Sequence, residues 1–333
     1  MVDVICIGDA TLDVFLKLRD DEAEVSCSLN KEKCQISLPY GSKIPVASVD
    51  LSLGGNAPNV AAGLKRLGFE TGLLSRVGDD EIGSIIQSKL KAEGLSLSLV
   101  KETTGSSAYS TIINFKGERT ILEKRYPHNY ELPKDFPESD WLYLSSVGPS
   151  YEKFFGQVVD LAKQKNIKLA YNPSQAELRN NFKTYEQVLA GCYCLFVNKE
   201  EAGQLLAANR QPTAVGQQLS AIRKTLQDLH SLGPKYVAVT DGKNGSYATD
   251  GEKFYQCDIF PSEMVEATGA GDAFASGFLG ALMSGQSILD AMKWGTVNAS
   301  SVVTKVGAVA GLLSRAEIEK KVKEKPDFGP REV

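Results

Sequence analysis

Glu266-Ala267-Thr268-Gly269-Ala270-Gly271-Asp272 runs directly into an apolar, small-residue segment, Ala273 to Met283 (AFASGFLGALM). The segment reads as a buried helix and the glycines as its entry turn. A helix start leaves unpaired N–H groups pointing out along its axis, with the positive end of the dipole behind them. Glycine lets such a backbone approach an anion closely, which makes a phosphate cradle. Asp272 is then the odd residue, because a carboxylate at an anion site repels the anion unless the chemistry needs it. Removal of a proton from a nucleophile attacking the phosphate is such a need. The local reading is phosphoryl transfer, with Gly269, Ala270 and Gly271 as anion hole and Asp272 as base. A Gly-rich turn with an acidic residue at a helix start, where the dipole favours it, is the bland reading of the same residues.

Upstream of this turn the pattern is regular. WLYLSSV (141–147), IKLAYN (167–172), CYCLFVN (192–198) and YVAVTDG (236–242) read as strands, with helical stretches such as 152–165 and 214–232 between them. Alternation of this kind argues for an α/β protein with a parallel sheet and helices on both faces. The strands end in Asn, Ser or Thr-Asp-Gly, which lines one edge of the sheet with polar groups, and that edge is the expected binding crevice. At one strand end, Asn198 and Glu201 have capping-box spacing; the functional alternative is a carboxylate holding Mg²⁺ through water beside phosphates. At another, Thr240, Gly242 and Gly245 leave a backbone able to pass close to a nucleotide.

Toward the N-terminus, VDVICI (2–7) is a strand ending at Gly8, followed by Asp9 and Asp13. Asp13 lies in TLDVFLKL, whose alternation predicts an extended piece; its carboxylate reads either as a binder of sugar hydroxyls or as a solvated strand-edge acid. Residues 19–35 are polar and read as an exposed loop or hairpin. Short extended stretches from Ile36 to Leu53 suit a small sheet standing off the main domain. Gly54-Gly55-Asn56-Ala57-Pro58-Asn59 then opens a helix that stops at Gly68. Gly55 lets backbone approach a ligand, and the Asn56 and Asn59 amides can donate and accept, as polyol recognition requires; helix capping is the competing account. Asp79 or Asp80 reads as a helix cap. AYSTIINF (108–115) and the residues from Arg119 read as a hairpin joining the small sheet. Arg119, Lys124 and Arg125 read as solvent-facing in preference to serving an acidic substrate.

The chain has 333 residues, 42% apolar and 23% charged, with a net charge of −4. Those figures suit an ordinary globular protein and give no general attraction to nucleic acid or anionic membrane. No apolar run reaches the roughly 18–20 residues that span a bilayer. The N-terminal stretch does not read as a signal peptide. Six cysteines and two histidines fit no zinc spacing. Free thiols in a reducing cytoplasm are the preferred account of the cysteines; a hairpin link between Cys27 and Cys34 is the less favoured one.

GDATLD, GGNAPNVA followed by VGDDEIG, NKEEA, VTDGKNG and EATGAGDAF occur in this order. Together they resemble the ribokinase (PfkB) family of carbohydrate and nucleoside kinases, over nearly the whole length. The resemblance implies a ribokinase-like fold, a doubly wound, mostly parallel sheet with helices on both faces and a small β-sheet lid. One kinase domain would occupy 1–333, with the lid from about 14–53 and 105–125. It implies ATP and Mg²⁺ as cofactors, Asp272 as base and the Gly269–Gly271 amides as anion hole. Asp13, Gly55, Asn56 and Asn59 match substrate-binding positions; Asn198, Thr240, Gly242 and Gly245 match nucleotide positions, and Asn298 stands where it would lie beside adenine. Glu201 matches the residue organising Mg²⁺. Glu266 departs from the Asp usual at a position that helps form a monovalent-cation site in many members; its longer side chain can still coordinate such a cation, K⁺ among them. Thr11 stands where ribokinases have an Asn contacting ribose.

The expected activity is ATP-dependent phosphorylation of a sugar hydroxyl, on a ketose, an aldose or a 2-keto-3-deoxy sugar acid. A nucleoside kinase, with Tyr109 and Phe115 stacking a base, is the enzymatic alternative, and a catalytically silent binding protein on the same fold is the other. The expected partners are a small-molecule sugar and a second copy of the chain, docked lid to lid because a small sheet exposes an edge and an apolar face.

Overall fold

The computed structural model describes residues 2–28, 34–148, 151–174, 178, 182–208 and 219–333. Part of the polar insert (29–33) and the start of the expected 214–232 helix (214–218) lie outside the described residues.

The VDVICI run forms β1 (Val2–Ile7), an interior strand third from one edge of a ten-stranded sheet. Its parallel neighbours are β6 (Thr71–Gly78) and β10 (Ser139–Leu144). Beyond β6 lies β7 (Val100–Thr103); beyond β10 lie β11 (Lys168–Tyr171), β12 (Cys194–Asn198) and β13 (Tyr236–Thr240), all parallel. The chain therefore builds outward from β1 in both directions, and the order reverses between β1 and β10. Ligands bind at such a switch point, outside the carboxyl ends of the strands. β14 (Ser246–Thr249), β15 (Phe254–Cys257) and β16 (Arg331–Glu332) extend the sheet antiparallel, an addition the alternating pattern did not foresee.

Successive residues of the central strands serve opposite cores, as a two-residue period requires. Val4, Cys6, Tyr143 and Phe196 face one core, together with α1 (Asn56–Arg66), α7 (Ala270–Met283) and α8 (Ile288–Val302). Ile5, Ile7, Leu144 and Val197 face the other, with α3 (Glu152–Gln164), α4 (Phe182–Ala190), α5 (Lys199–Ala208) and α6 (Leu219–Ser231). α2 (Glu81–Ala92) is capped by Asp80, whose Oδ1 accepts the Gly83 N–H at 2.8 Å, and α9 (Arg315–Glu324) closes the helix series among the described residues.

One close approach registers the active region. A Cβ on Gly63 would overlap Ser276 Oγ, so the α1 backbone packs directly on a side chain of α7 there. Residues one turn earlier on each helix, Asn59 and Asp272, are laid side by side by the same contact. α7 is buried from Ala273 to Ala281, as its apolar composition predicted.

A second sheet, of four strands, has the order β5 (Val46–Gly54), β2 (Thr11–Leu18), β8 (Ala108–Phe115), β9 (Glu118–Lys124). The β2–β8 pair is parallel and the other two pairs antiparallel. One face presents Asp13, Ser110, Ile112, Arg119, Ile121 and Glu123 to the main sheet's carboxyl edge. The other carries Val49, Leu51, Tyr109 and Leu122, all exposed.

The insert forms a hairpin of β3 (Glu24–Cys27) and β4 (Cys34–Ser37). The preference for six free thiols is corrected here. Cys27 and Cys34 are register partners, 4.0 Å apart at Cα, and are joined by a disulfide. Cys6, Cys192, Cys194 and Cys257 are free and buried.

Candidate active site

A cavity of about 510 Å³ lies between the carboxyl edge of the large sheet and the inner face of the four-stranded sheet. Asp272 stands in the first turn of α7, in contact with the cavity while protein surrounds it on its other sides. Its Oδ2 accepts from Asn59 Nδ2 at 2.8 Å. Burial pushes the Asp272 carboxyl up to about 7; the Asn59 hydrogen bond opposes that shift, and the charges of Asp13 and Glu201 add to it. Gly269 caps the helix with φ 79°, a left-handed conformation that only glycine adopts freely, and a Cβ there would overlap Ala308. α7 has no side-chain cap, which leaves first-turn N–H groups for a ligand. Gly269 and Gly271 line the cavity; Ala270 does not, and its N–H donates to Ala267 O at 3.3 Å.

On the opposite wall, Asp13 is buried, with Oδ1 accepting from Thr11 Oγ1 at 3.2 Å, and burial pushes its carboxyl up to about 6. Gly55, at φ 94°, starts α1. Asn56 Nδ2 donates to Asn172 Oδ1 at 2.8 Å, and Asn172 Nδ2 in turn donates to Phe196 O at 2.8 Å, so the Asn56 amide is oriented through the end of β11.

At the end of β12, Asn198 and Glu201 form the expected capping box: Glu201 Oε2 accepts the Asn198 N–H at 2.8 Å and Asn198 Oδ1 accepts the Glu201 N–H at 2.9 Å. Both nevertheless line the cavity, and burial pushes the Glu201 carboxyl up to about 7. Thr240 lines the cavity as well. Among the described residues no group of three or more His, Cys, Asp or Glu side chains could hold a metal by itself.

The cavity thus gathers Asp13, Gly55, Asn56, Asn59, Asn198, Glu201, Thr240, Gly269, Gly271 and Asp272 from distant parts of the chain. Other expected residues lie outside its lining. Gly242 and Gly245 form a turn beside β13, with the Gly245 N–H on Gly242 O at 3.1 Å. Asn298 is fully buried: Nδ2 donates to Ala273 O at 2.9 Å and Oδ1 accepts the Leu313 N–H at 2.9 Å, so its amide is committed to holding α8 against α7. Glu266 borders a smaller cavity of about 170 Å³ under the four-stranded sheet. Its Oε1 accepts from Thr268 N at 2.9 Å and Thr268 Oγ1 at 2.5 Å, while its buried Oε2 has no partner among the described residues.

The solvent-facing reading of the lid cations is corrected for Arg125, which is only partly exposed, while Arg119 and Lys124 are exposed. Arg119 and Arg125 line the cavity, and Lys124 packs over the Tyr126 ring at 5.2 Å. Arg125 donates to Ser146 Oγ and pairs with Glu123 at 2.8 Å. No ion-pair partner of Arg119 is found among the described residues. Tyr109 and Phe115 do not line the cavity: Tyr109 is on the outer face, and Phe115 packs with Leu18 and Ala23. Asp9 and Asn172, noted in the sequence only as polar residues at strand ends, line the cavity too, and so does Ser174, which sequence reasoning missed. Their positions at strand ends were the available signal.

The profile of pfkB family carbohydrate kinases matches residues 21–315. The chain belongs to the pfkB family of carbohydrate kinases. It is a sugar kinase, a phosphotransferase with an alcohol group as acceptor. It is 26% identical over 293 residues to the 5-dehydro-2-deoxygluconokinase of Clostridium tetani, covering 83% of this chain and 85% of that protein. Against the 2-dehydro-3-deoxygluconokinase of Bacillus subtilis it is 26% identical over 309 residues, covering 84% and 89%. Among solved structures, Arabidopsis thaliana ribokinase in complex with ribose and ATP superposes with a TM-score of 0.77 at 22% identity, over 97% of this chain and 99% of that one. Burkholderia thailandensis nucleoside kinase in complex with inosine gives 0.74 at 16% identity, over 98% and 99%. At these identities the structural likenesses establish the ribokinase fold, which sugar and nucleoside kinases share.

Proposed function

We propose that this chain is an ATP-dependent kinase acting on a hydroxyl of a keto-deoxy sugar acid. The observation that carries the reading is Asp272, a carboxyl pushed up to about 7, set in a helix's first turn and open to a polar cavity. A general base works best with a pKa near the working pH. Asp272 takes the proton of the acceptor hydroxyl as its oxygen attacks the γ-phosphate in line. The Gly269–Gly271 turn, with Ala270 releasing its bond to Ala267, stabilises charge on the migrating phosphoryl group. Asp13, Asn56, Asn59 and the Gly55 backbone hold sugar hydroxyls. Asn198, Thr240, Gly242 and Gly245 flank the nucleotide.

Glu201, whose buried carboxyl would gain from a nearby cation, would hold Mg²⁺ through water, and the ion would supply neutralisation of the ATP phosphate charge. The partnerless Glu266 Oε2 fits a monovalent cation such as K⁺ in the same way, and through Thr268 would steady the anion-hole turn. Arg119, at the cavity wall, complements the carboxylate of a sugar acid. The relatives named for dehydro-deoxygluconate support that substrate class.

The four-stranded sheet acts as a lid that excludes water from the transfer. Its exposed outer face, with Val49, Leu51 and Leu122, supports a lid-to-lid dimer, which light scattering of the wild type and Leu122→Lys tests. A cytoplasmic location belongs to the same proposal; cell fractionation tests it. The function itself is tested by a phosphoryl-transfer screen over both dehydro-deoxygluconates, fructose, ribose and adenosine. Turnover of a sugar acid is expected. Preference for adenosine, or ATP binding without transfer to any acceptor, overturns the proposal.

A further inference from the structure

Asp9, just beyond β1, has no part in the chemistry described above. It is only 6% exposed, yet it lines the central cavity. Tyr130 Oη donates to its Oδ1 at 2.7 Å. Its Oδ2 has no partner among the described residues. A buried carboxylate oxygen left without a donor is costly, so such an atom in a binding cavity points to a ligand.

The carboxylate is also clamped from behind. The Tyr130 ring packs against Phe154, centroids 5.4 Å apart, and the Arg76 guanidinium sits 5.1 Å over its face. Arg76 is itself pinned, donating to Ser75 O at 2.9 Å and Glu131 O at 3.3 Å. The Asp9 N–H donates to Ser146 O at 2.7 Å, which fixes the backbone at the switch point. Tyr130 therefore holds one oxygen, and the other stands unpartnered, among the described residues, on a side chain that lines the cavity. Preorganisation of this kind, one contact locked so that another is aimed, is how a binding site gains selectivity.

We propose that Asp9 Oδ2 accepts a hydrogen bond from a sugar hydroxyl other than the one Asp13 holds, making Asp9 a specificity-determining residue with Tyr130 as its positioning residue. The inference rests on the sugar-kinase reading and deepens it. An acceptor-only group selects a hydroxyl on its side of the cavity and repels a carboxylate there. A substrate carboxylate is thereby disfavoured at the Asp9 oxygen itself.

The test uses full-length wild type, Asp9→Ala, Asp9→Asn and Tyr130→Phe. It measures KM for the best sugar acceptor, KM for ATP, and sugar binding by calorimetry. Asp9→Ala is expected to raise the sugar KM roughly 10- to 100-fold, with a smaller rise for Asp9→Asn and about 3- to 10-fold for Tyr130→Phe. The ATP KM stays within about 2-fold, and the Asp9→Ala effect disappears on the one deoxy analogue that lacks the recognised hydroxyl. A purely structural Asp9 would raise KM equally on every analogue; that result, or an unchanged sugar KM, overturns the proposal. If Asp9→Ala does not fold, unchanged sugar KM in both Asp9→Asn and Tyr130→Phe overturns it. A wild type that neither binds nor phosphorylates any sugar overturns the sugar-kinase reading and this inference together. Wild-type turnover with indifferent Asp9 variants overturns this inference alone.

Discussion

Asn59→Leu removes the one side-chain hydrogen bond that the Asp272 carboxylate accepts among the described residues, at 2.8 Å, while nearly keeping side-chain volume. Asn59 is buried, 4% exposed, so water does not readily replace it. A hydrogen bond to a charged group contributes about 1.5–3 kcal/mol. The bond favours the ionised carboxylate, and one pKa unit corresponds to about 1.4 kcal/mol, so its loss raises the Asp272 pKa by about 1–2 units. From about 7 in the wild type, the acid limb of the kcat/KM profile moves to roughly pH 8–9. At about pH 7 the ionised fraction falls from about one half to roughly one tenth or less, a further loss of about 5- to 50-fold beyond any loss in sugar binding. The assay is a pH–rate profile of kcat/KM for both proteins, with sugar and ATP varied separately. Absolute rates fall for either a binding or a positioning role; the displacement of the limb separates them. A limb that stays in place, or moves to lower pH, refutes the reasoning.

Asp272→Asn also changes stability with pH. The folded pKa is raised, so protonation of Asp272 favours folding below the unfolded value and this contribution is lost as pH rises through about 7. The variant's Tm should therefore exceed the wild type's by roughly 2 °C or more at about pH 8 and converge with it toward pH 4; a constant difference contradicts this. Gly63→Ala should cost about 1–3 kcal/mol in denaturant unfolding, because its Cβ overlaps Ser276 Oγ, and Ser276→Gly in the same chain should recover part of that. Full stability in the single variant would deny the close α1–α7 contact. Arg119→Met should raise KM about 10-fold or more for a sugar acid and change it little for a neutral sugar; equal effects on both would remove the carboxylate role.

The layered α/β fold was legible because its inner strands are apolar on both faces and several end in polar residues, as CLFVN does at Asn198. The helix start at Gly269 was legible because glycines preceded a continuous apolar run. The Asn59–Asp272 pair was not: the residues are 213 positions apart, and only the α1–α7 crossing at Gly63 and Ser276 puts them in register. Arg119, Ile121 and Glu123 could be assigned to one face of β9 by alternation, but no sequence rule tells which face meets the cavity. Cys27 and Cys34 had hairpin spacing, yet their pairing depends on a strand register that the polar insert leaves weakly specified. Asn298 is a motif-matched amide whose buried bonds to Ala273, Ser276 and Leu313 no sequence pattern announced.

The central claim is that the carboxylate beside the Gly269–Gly271 turn removes the acceptor's proton. The most direct measurement is kcat of purified Asp272→Asn on the best sugar substrate, with calorimetric ATP affinity measured on the same preparation. The account predicts a fall in kcat of more than about 10²-fold with ATP affinity essentially retained. A variant that binds ATP normally and turns over near the wild-type rate would contradict it.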